Sequence, residues 1–467
     1  MRRKLLCAFL LIYSFSPLQA QSDSTPLSIS TYLKMVLMYS PQANQADLID
    51  QNAEAYVLKA RSKFEPKLNS TYTSKDFDGK NYFSNFNSEV KIPTYLGLSI
   101  KGGYEAHDGL YLNPESTVPA SGLIYSGVEW SIGNGLFMDD RRAGLRNAQV
   151  QFSQALLEET WQKNEWLYIS GLSYIHWEYQ NNVVENFRNL LQVNQDRLDQ
   201  IRQSYLNGDK PAIDTLEAFI LLQNRQNQLY QASWELRKKS NNMKQYLWPD
   251  FLPASVISNW RPTESEPILS PWVVETLDSN ITPAHPLIRT LSLDLERNTI
   301  QQRLNRERFK PTVDVGYNFL TEASGAPQGQ AFQLNNNKVM ATVQMPLLLR
   351  EARSTRSIID LKETELELKL AEKQNALVLK VDQLEFQDSL LTVQIEQMRE
   401  IRDNYQRLLD AEIIKFNIGE SSVFLINARE NKLLEYNLKL LKLQAKQSET
   451  KLELLYIKGL LLSYIES

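Results

Sequence analysis

The chain has 467 residues, with 51 basic and 55 acidic side chains, a net charge of −4 and no long run of either sign. That balance offers nothing to nucleic acid. The single cysteine, Cys7, and three histidines far apart in sequence (His107, His176, His285) leave no disulfide framework, thiol nucleophile or local metal motif. The stretch GDKPAID, Gly208 to Asp214, lacks the second glycine and the GK[ST] ending of a phosphate loop. No catalytic residue, cofactor or metal is expected, and the chain is not read as an enzyme.

The chain opens with MRRKLLCAFLLIYSFSPLQA, in which Arg2, Arg3 and Lys4 precede an apolar run from Leu5 to Tyr13. This is the layout of a secretory signal peptide over residues 1–20, cleaved after Ala20. Cys7 lies inside it, so the mature chain is expected to carry neither a thiol nor an N-terminal lipid anchor. Elsewhere no segment has the ~18 consecutive apolar residues of a membrane-spanning helix.

The stretch KFEPKLNSTYT, Lys63 to Thr73, returns downstream as RFKPTVDVGYN, Arg308 to Asn318. Phe64, Pro66 and Tyr72 match Phe309, Pro311 and Tyr317 at one common offset. Tyr205-Leu-Asn-Gly208 returns as Phe416-Asn-Ile-Gly419 at a shorter offset, so the first half carries roughly 34 extra residues, placed within Asp76 to Asn113. Self-similarity on this scale reads as tandem duplication. The expected division is a first repeat over 21–248, a connector over 249–280 and a second repeat over 281–467. Pro249, Pro253, Pro262, Pro267 and Pro271 mark the connector as irregular.

Each half is predicted to run helix, strands, very long helix, glycine turn, helix. Asp139 to Tyr205 contains no proline and only Gly144 and Gly171, and Arg350 to Phe416 has neither residue type. At 1.5 Å per residue such a helix extends about 100 Å and must pack sideways against others. The seam has a period of seven: Leu370, Leu377, Leu384, Leu391, Met398 and Tyr405 in one rod, Trp177, Val184, Leu191, Leu198 and Tyr205 in the other. A sustained heptad winds helices into left-handed coiled coils. The second heptad position is often polar, as at Asp388 and Arg402, which is unlike a simple dimeric zipper.

Between the helices the pattern changes to strict alternation. Val313, Val315, Tyr317 and Phe319 share one face of a predicted strand, and Val339, Ala341, Val343 and Met345 share one face of another. In the first half Ile92, Leu96, Leu98 and Ile100 keep one parity, and Ile124, Val128 and Trp130 another. Strands of about nine residues with aromatic ends suit a tilted membrane barrel. Both flanking helices of each half lie on one side of the membrane, so each half needs an even number of strands. The simplest count is two per half. The surplus, including VKIPTYLGLSIKGGYE, either extends a surface hairpin or adds two strands. Four strands cannot close a barrel, and open edges are costly in lipid, so several copies must share one.

The duplicated layout resembles the TolC-type outer-membrane efflux protein family. The marks are GLFMDDRRAGLRNAQ (135–149) and PLLLREARSTRSI (346–358) entering the long helices, and GDKPAIDTLEA (208–218) and GESSVFLINARE (419–430) leaving the turns. The resemblance implies an α+β membrane protein: a homotrimer with a shared twelve-stranded barrel in outer-membrane lipid, continued by an α-helical coiled-coil barrel in the periplasm. It implies a passive channel of a tripartite efflux or type I secretion system. The partners would be a periplasmic adaptor (membrane fusion) protein and an inner-membrane transporter.

It also implies that the tips around Gly208 and Gly419 form the periplasmic gate and adaptor contact, with Tyr205, Asp214, Glu217, Phe416, Ser421 and Phe424 beside them. Where the family places a tyrosine and a basic partner for Asp214, this chain has Phe416 and Ser421. Closure is therefore expected to rest on apolar packing more than on a charge network. The competing readings are a secreted coiled-coil scaffold or adhesin without a pore, and a periplasmic hydrolase for which no catalytic constellation is found.

Overall fold

The structure, a computed structural model, describes residues 25–247, 260–263, 285–324 and 335–466. The expected signal peptide and most of the connector lie outside the described residues. The chain divides into two compact units. A sheet unit comprises Val36–Leu172, Leu269–Gln397 and Lys446–Ser467, and a tip unit comprises Met1–Met35, Ser173–Ile268 and Met398–Ala445.

The helices follow the sequence closely. In chain order they are α1 (Ile29–Tyr39), α2 (Pro41–Arg61), α3 (Asp140–Leu206), α4 (Ala212–Lys244), α5 (Pro286–Glu307), α6 (Arg350–Asn417), α7 (Val423–Ile457) and α8 (Leu461–Glu466). The two rods span 67 and 68 residues, because nothing in either interrupts the hydrogen-bond ladder until its terminal glycine. Gly171 serves packing: a β-carbon there would stand 2.7 Å from Leu452 Cδ2 of α7. The seam residues Leu377, Leu384, Leu391, Trp177, Val184 and Leu198 are all buried.

In the sheet unit four helical segments lie side by side in the order α2, α3, α5, α6. Lys163 of α3 pairs with Asp47 of α2 at 2.6 Å. Met138, Ala143 and Val150 pack on Leu293 and Ile300 of α5. Asn298 and Asn305 of α5 donate to the carbonyls of Ile359 and Ala352 on α6, at 3.2 and 3.1 Å. His285 joins α5 to the end of α7. Its Nδ1 accepts from the Leu287 amide while its Nε2 donates to the Ile457 carbonyl at 2.9 Å. Burial lowers its pKa against that bond, so it sits as a neutral cap and has a structural task.

Six strands form one antiparallel sheet in the same unit: β2 (Lys67–Phe77), β3 (Lys80–Pro93), β4 (Leu98–Asp108), β5 (Leu123–Gly133), β7 (Thr312–Glu322) and β8 (Asn337–Gln344). Their spatial order is their sequence order. In the tip unit β1 (Thr25–Leu27) pairs in parallel with β6 (Trp260–Pro262). The simplest strand count is corrected here: the first half supplies four strands of the sheet and the second half two. The residues expected to share one parity around Ile92 to Ile100 belong to two strands separated by a turn. Gly97 has φ +85°, and the Thr94 amide closes the loop on the Leu98 carbonyl at 2.9 Å. The β2–β3 turn is Asp78-Gly79, with φ of 51° and 68°, the left-handed pair that a two-residue hairpin requires.

Candidate functional site

The sheet is built inside out relative to a water-soluble protein. Residues directly opposite one another in an antiparallel pair share a face. The registers therefore place Leu68, Tyr72, Phe86, Val90, Ile100, Val128, Trp130, Val315, Tyr317 and Val343 on one side. That side is open: Leu68 is 71 % and Val343 70 % exposed. The opposite side carries the polar set and is packed, with Ser99, Lys101 and Tyr125 all buried.

Aromatic side chains mark both ends of the strands. Phe64 stacks on Tyr95 at 4.2 Å near the helices, and Tyr82 packs on Tyr111 at 4.7 Å at the far end. Such bands flank an apolar belt where a barrel meets the two faces of a bilayer.

The polar side is a charged surface. Lys67, Lys91, Lys101 and Lys338 fall on a single row across the sheet, together with Gly127 and Asn318. Glu129 bridges two of them, at 2.8 Å to Lys91 and 3.5 Å to Lys101. Tyr125 donates to Glu89 at 3.1 Å, and Ser131 to Asp314. Glycine makes room for this layer, since a β-carbon on Gly103 would stand 2.6 Å from the Tyr125 ring. Lone buried charges would be expensive, whereas here Glu129 compensates both lysines.

In the tip unit the two helix pairs turn in matching ways. Gly208, with φ +81°, donates its amide to the Tyr205 carbonyl at 3.0 Å, and Asp209 to Ser204 at 2.9 Å. Gly419, with φ +85°, donates to Phe416 at 3.1 Å, and Glu420 to Lys415 at 2.8 Å. Both are Schellman caps, for which glycine supplies the left-handed residue.

The structure brings some of the predicted tip residues together and leaves others apart. Phe416 packs against two buried clusters, one of Leu198, Ile201, Ala218 and Val423, the other of Leu409, Ile426 and Leu433. Lys210 of the first tip sits over its ring at 4.0 Å. Ser421 donates to Glu412 at 2.6 Å, and Arg429 stands 3.6 Å from the same carboxylate. The Ser421 bond and Arg429 lower the Glu412 pKa. Asp214 and Glu217 lie half-buried at the start of α4, and among the described residues neither carboxylate has a hydrogen-bond or ion-pair partner. Tyr205 is exposed, and Phe424 is 65 % exposed.

A third element was not anticipated. Glu430 of α7 accepts from Arg197 of α3 at 2.6 Å and from Asn194 at 2.7 Å, and stands 3.5 Å from Arg225 of α4. Arg225 and Glu430 are 2 % and 1 % exposed. Arg225 also donates to Asn431 at 2.5 Å and to Gln228 at 2.9 Å. Burial lowers the Arg225 pKa, opposed by Glu430. The available signal was the polar second heptad position: Asn194, Arg225 and Glu430 each follow a seam residue (Leu191, Leu222, Ile426) by three or four.

A chain whose antiparallel sheet shows its apolar side outward and returns at both ends into heptad-packed rods has the fold of the TolC-type outer-membrane channels. The outer membrane protein VceC from the bacterial pathogen Vibrio cholerae shares it, with a TM-score of 0.65 and 12 % identity over 92 % of this chain and 96 % of that one. A membrane protein from Pseudomonas aeruginosa gives a TM-score of 0.66 at 11 % identity over 97 % of both chains. The Campylobacter jejuni CmeC outer membrane channel gives 0.62 at 11 % over 98 % of this chain and 94 % of that one. No family model and no curated protein matches the sequence. Among the described residues no helix is long and apolar enough to cross a membrane, and no group of side chains is arranged to hold a metal ion.

Proposed function

We propose that the chain is a passive outer-membrane channel, the exit duct of an efflux system of the kind the TolC resemblance implies. Three copies share the barrel in outer-membrane lipid, and the helical part stands in the periplasm. The observation that carries this reading is the inverted sheet: exposed Leu, Val, Ile and Trp on one side, bridged Lys and Glu on the other. A secreted scaffold has no use for strands of that kind. The fold shared with CmeC, an outer membrane channel, supports the same conclusion.

In this reading the tips centred on Gly208 and Gly419 close the periplasmic end and meet the adaptor protein, which passes cargo from an inner-membrane transporter. The gate residues are Tyr205, Asp214, Glu217, Phe416, Ser421 and Phe424. Phe416 is the anchor, because it packs on two clusters while Ser421 is engaged by Glu412. The test is fractionation followed by a planar-bilayer recording. The protein should pellet with outer membranes, run as a heat-modifiable oligomer and produce discrete conductance steps. Recovery as a soluble species without detergent would end the channel reading.

A further inference from the structure

Among the described residues, the hairpin of β3 and β4 is what the first half of the chain has and the second half lacks. Resting on the three-copy channel reading, we propose that this hairpin is a full member of the channel wall. Three copies then close an eighteen-stranded barrel, the free edge of β8 in one copy pairing with the free edge of β2 in the next.

Four observations lead there. The hairpin is no flap: β3 pairs with β2 from Ser84 to Lys91 without a break, and β4 pairs with β5 from Leu98 to Glu105. It is inserted in the middle of the sheet. Its strands, of 14 and 11 residues, are as long as their neighbours and suffice for a tilted bilayer crossing.

Its faces agree with the rest of the wall. Phe86 lies opposite Tyr72, Val90 opposite Leu68, and Ile100 opposite Val128, all on the apolar side. On the polar side Lys91 and Lys101 continue the row begun by Lys67 and are held by Glu129 of β5. A hairpin lying on the membrane surface would have no reason to keep this alternation in phase across both joints.

The insertion also preserves direction. β2 runs away from α2 and β8 runs toward α6, so the two outer strands are antiparallel to one another in a head-to-tail ring. Both edges are open, and every residue of β2 and β8 is exposed in the single chain. Unpaired backbone groups cannot be left in lipid, and only closure on another edge satisfies them. The helices next to those edges are open too. Leu48, Tyr56 and Leu58 of α2 are exposed, as are Ile358, Leu361 and Leu368 of α6. A second copy of this chain is the one occupant that covers strand edge and helix face together. Barrel diameter grows with strand number, so an eighteen-stranded wall is about half as wide again as a twelve-stranded one.

The experiment places bimane on single cysteines in the full-length protein, reconstituted in phosphatidylcholine vesicles whose acyl chains carry a mid-depth nitroxide. The sites are Val90→Cys and Ile100→Cys on the hairpin, Val128→Cys and Val343→Cys elsewhere on the apolar side, and Lys338→Cys on the polar side. The first four should be quenched alike, several-fold more than the last. Quenching at Val128 and Val343 but not at Val90 and Ile100 would take the hairpin out of the wall and leave the channel reading intact. Absence of quenching at all five would overturn the membrane reading itself.

Copy number is read from double-cysteine variants pairing Leu68, Ser70 or Tyr72 with Val339, Ala341 or Val343. Oxidation should give a ladder that stops at three linked chains. A ladder that stops at two would make the wall twelve-stranded and overturn the proposal. Electron cryo-microscopy of the unsubstituted protein, counting wall strands directly, decides the same point without any variant.

Discussion

The sheet and the tips of this chain bury opposite kinds of side chain. In the sheet, Lys101 and Tyr125 are covered while Leu68 and Val343 stand open; in the tip unit, Leu198, Ile201, Val423 and Ile426 are covered. The alternation that would build a half-buried soluble sandwich has been turned over, and the heptads that would build a soluble coiled coil have not. In the proposed channel, burial follows the solvent that each region meets. A hydrocarbon solvent makes exposed Val and Leu cheap and unpaired backbone costly, which only a closed sheet answers. A water solvent restores the ordinary rule, and helices pack their seams.

The comparison breaks most visibly where the tip unit departs from its own rule. Arg197, Arg225 and Glu430 form a charged cluster inside the helical packing. Removing one member leaves the others buried and uncompensated, which costs about 3–5 kcal/mol. Glu430→Ala should therefore lower the unfolding temperature of the detergent-solubilised protein far more than Glu435→Ala, which removes only the exposed pairs with Lys432 and Lys439. Replacing Arg197, Arg225 and Glu430 together by Met, Met and Leu should recover most of the loss. If the triple variant is as unstable as Glu430→Ala, the cluster is doing something beyond satisfying its own charges.

The next effect tests the inversion of the sheet. Val128→Arg puts a charge on the apolar side, for which the expected cost at the centre of a bilayer is about 2–4 kcal/mol. Lys338→Glu changes a charge on the polar side, which faces water in the proposed channel. The first should reduce the yield of heat-modifiable oligomer in outer membranes severalfold. The second should leave the yield unchanged and shift the reversal potential in a salt gradient toward cations. Equal tolerance of both would show that the two sides of the sheet meet the same solvent.

A smaller effect concerns Glu178 of α3, in the tip unit, where burial raises the carboxyl pKa to about 7. The folded chain holds a proton there that the unfolded chain releases. This contribution to stability is thus complete below about pH 4.5 and is lost as pH rises through 7. Glu178→Gln should stabilise the protein by about 1–2 kcal/mol at pH 8, and the gain should vanish near pH 4.5. A gain that does not change with pH would place its origin outside the ionisation of Glu178.

The sequence was most legible where one periodicity runs uninterrupted. The rods end within a residue of their expected limits, since no proline or mid-helix break competes with Gly208 and Gly419. β7 and β8 could be read because Val313 to Phe319 alternates without exception and Val339 to Met345 with only Met340 out of pattern. The β3–β4 turn could not. Ile92 and Leu98 keep the same parity across Thr94 to Gly97, so the pattern passes through the reversal as if it were one strand. Arg225 and Glu430 stayed hidden for a different reason. A charge at a heptad position reads as a solvated face until the partner, on a helix of the other half of the chain, is seen. The tip contact between Lys210 and Phe416 joins the two halves of the chain, and nothing local to either residue announces it.

That contact gives the smallest effect and bears most directly on the gate. In the proposed closed state Phe416 is held by two apolar clusters and by the Lys210 ammonium over its ring, while Asp214 has no partner among the described residues. Apolar packing does not respond to salt, and a surface charge lock does. A cation over an aromatic ring at a half-exposed site contributes about 0.5–1 kcal/mol. Lys210→Gln should thus raise the open probability in a planar bilayer by about two- to five-fold. Phe416→Ala with Phe424→Ala removes the packing itself and should open the channel further, with vancomycin entry into cells as the second readout. Asp214→Asn should do less than either, and raising the salt concentration should change closure of the unsubstituted channel little. If Asp214→Asn alone opens the channel widely while the double alanine variant stays shut, then Asp214 finds its partner in a neighbouring copy, and charge holds the gate.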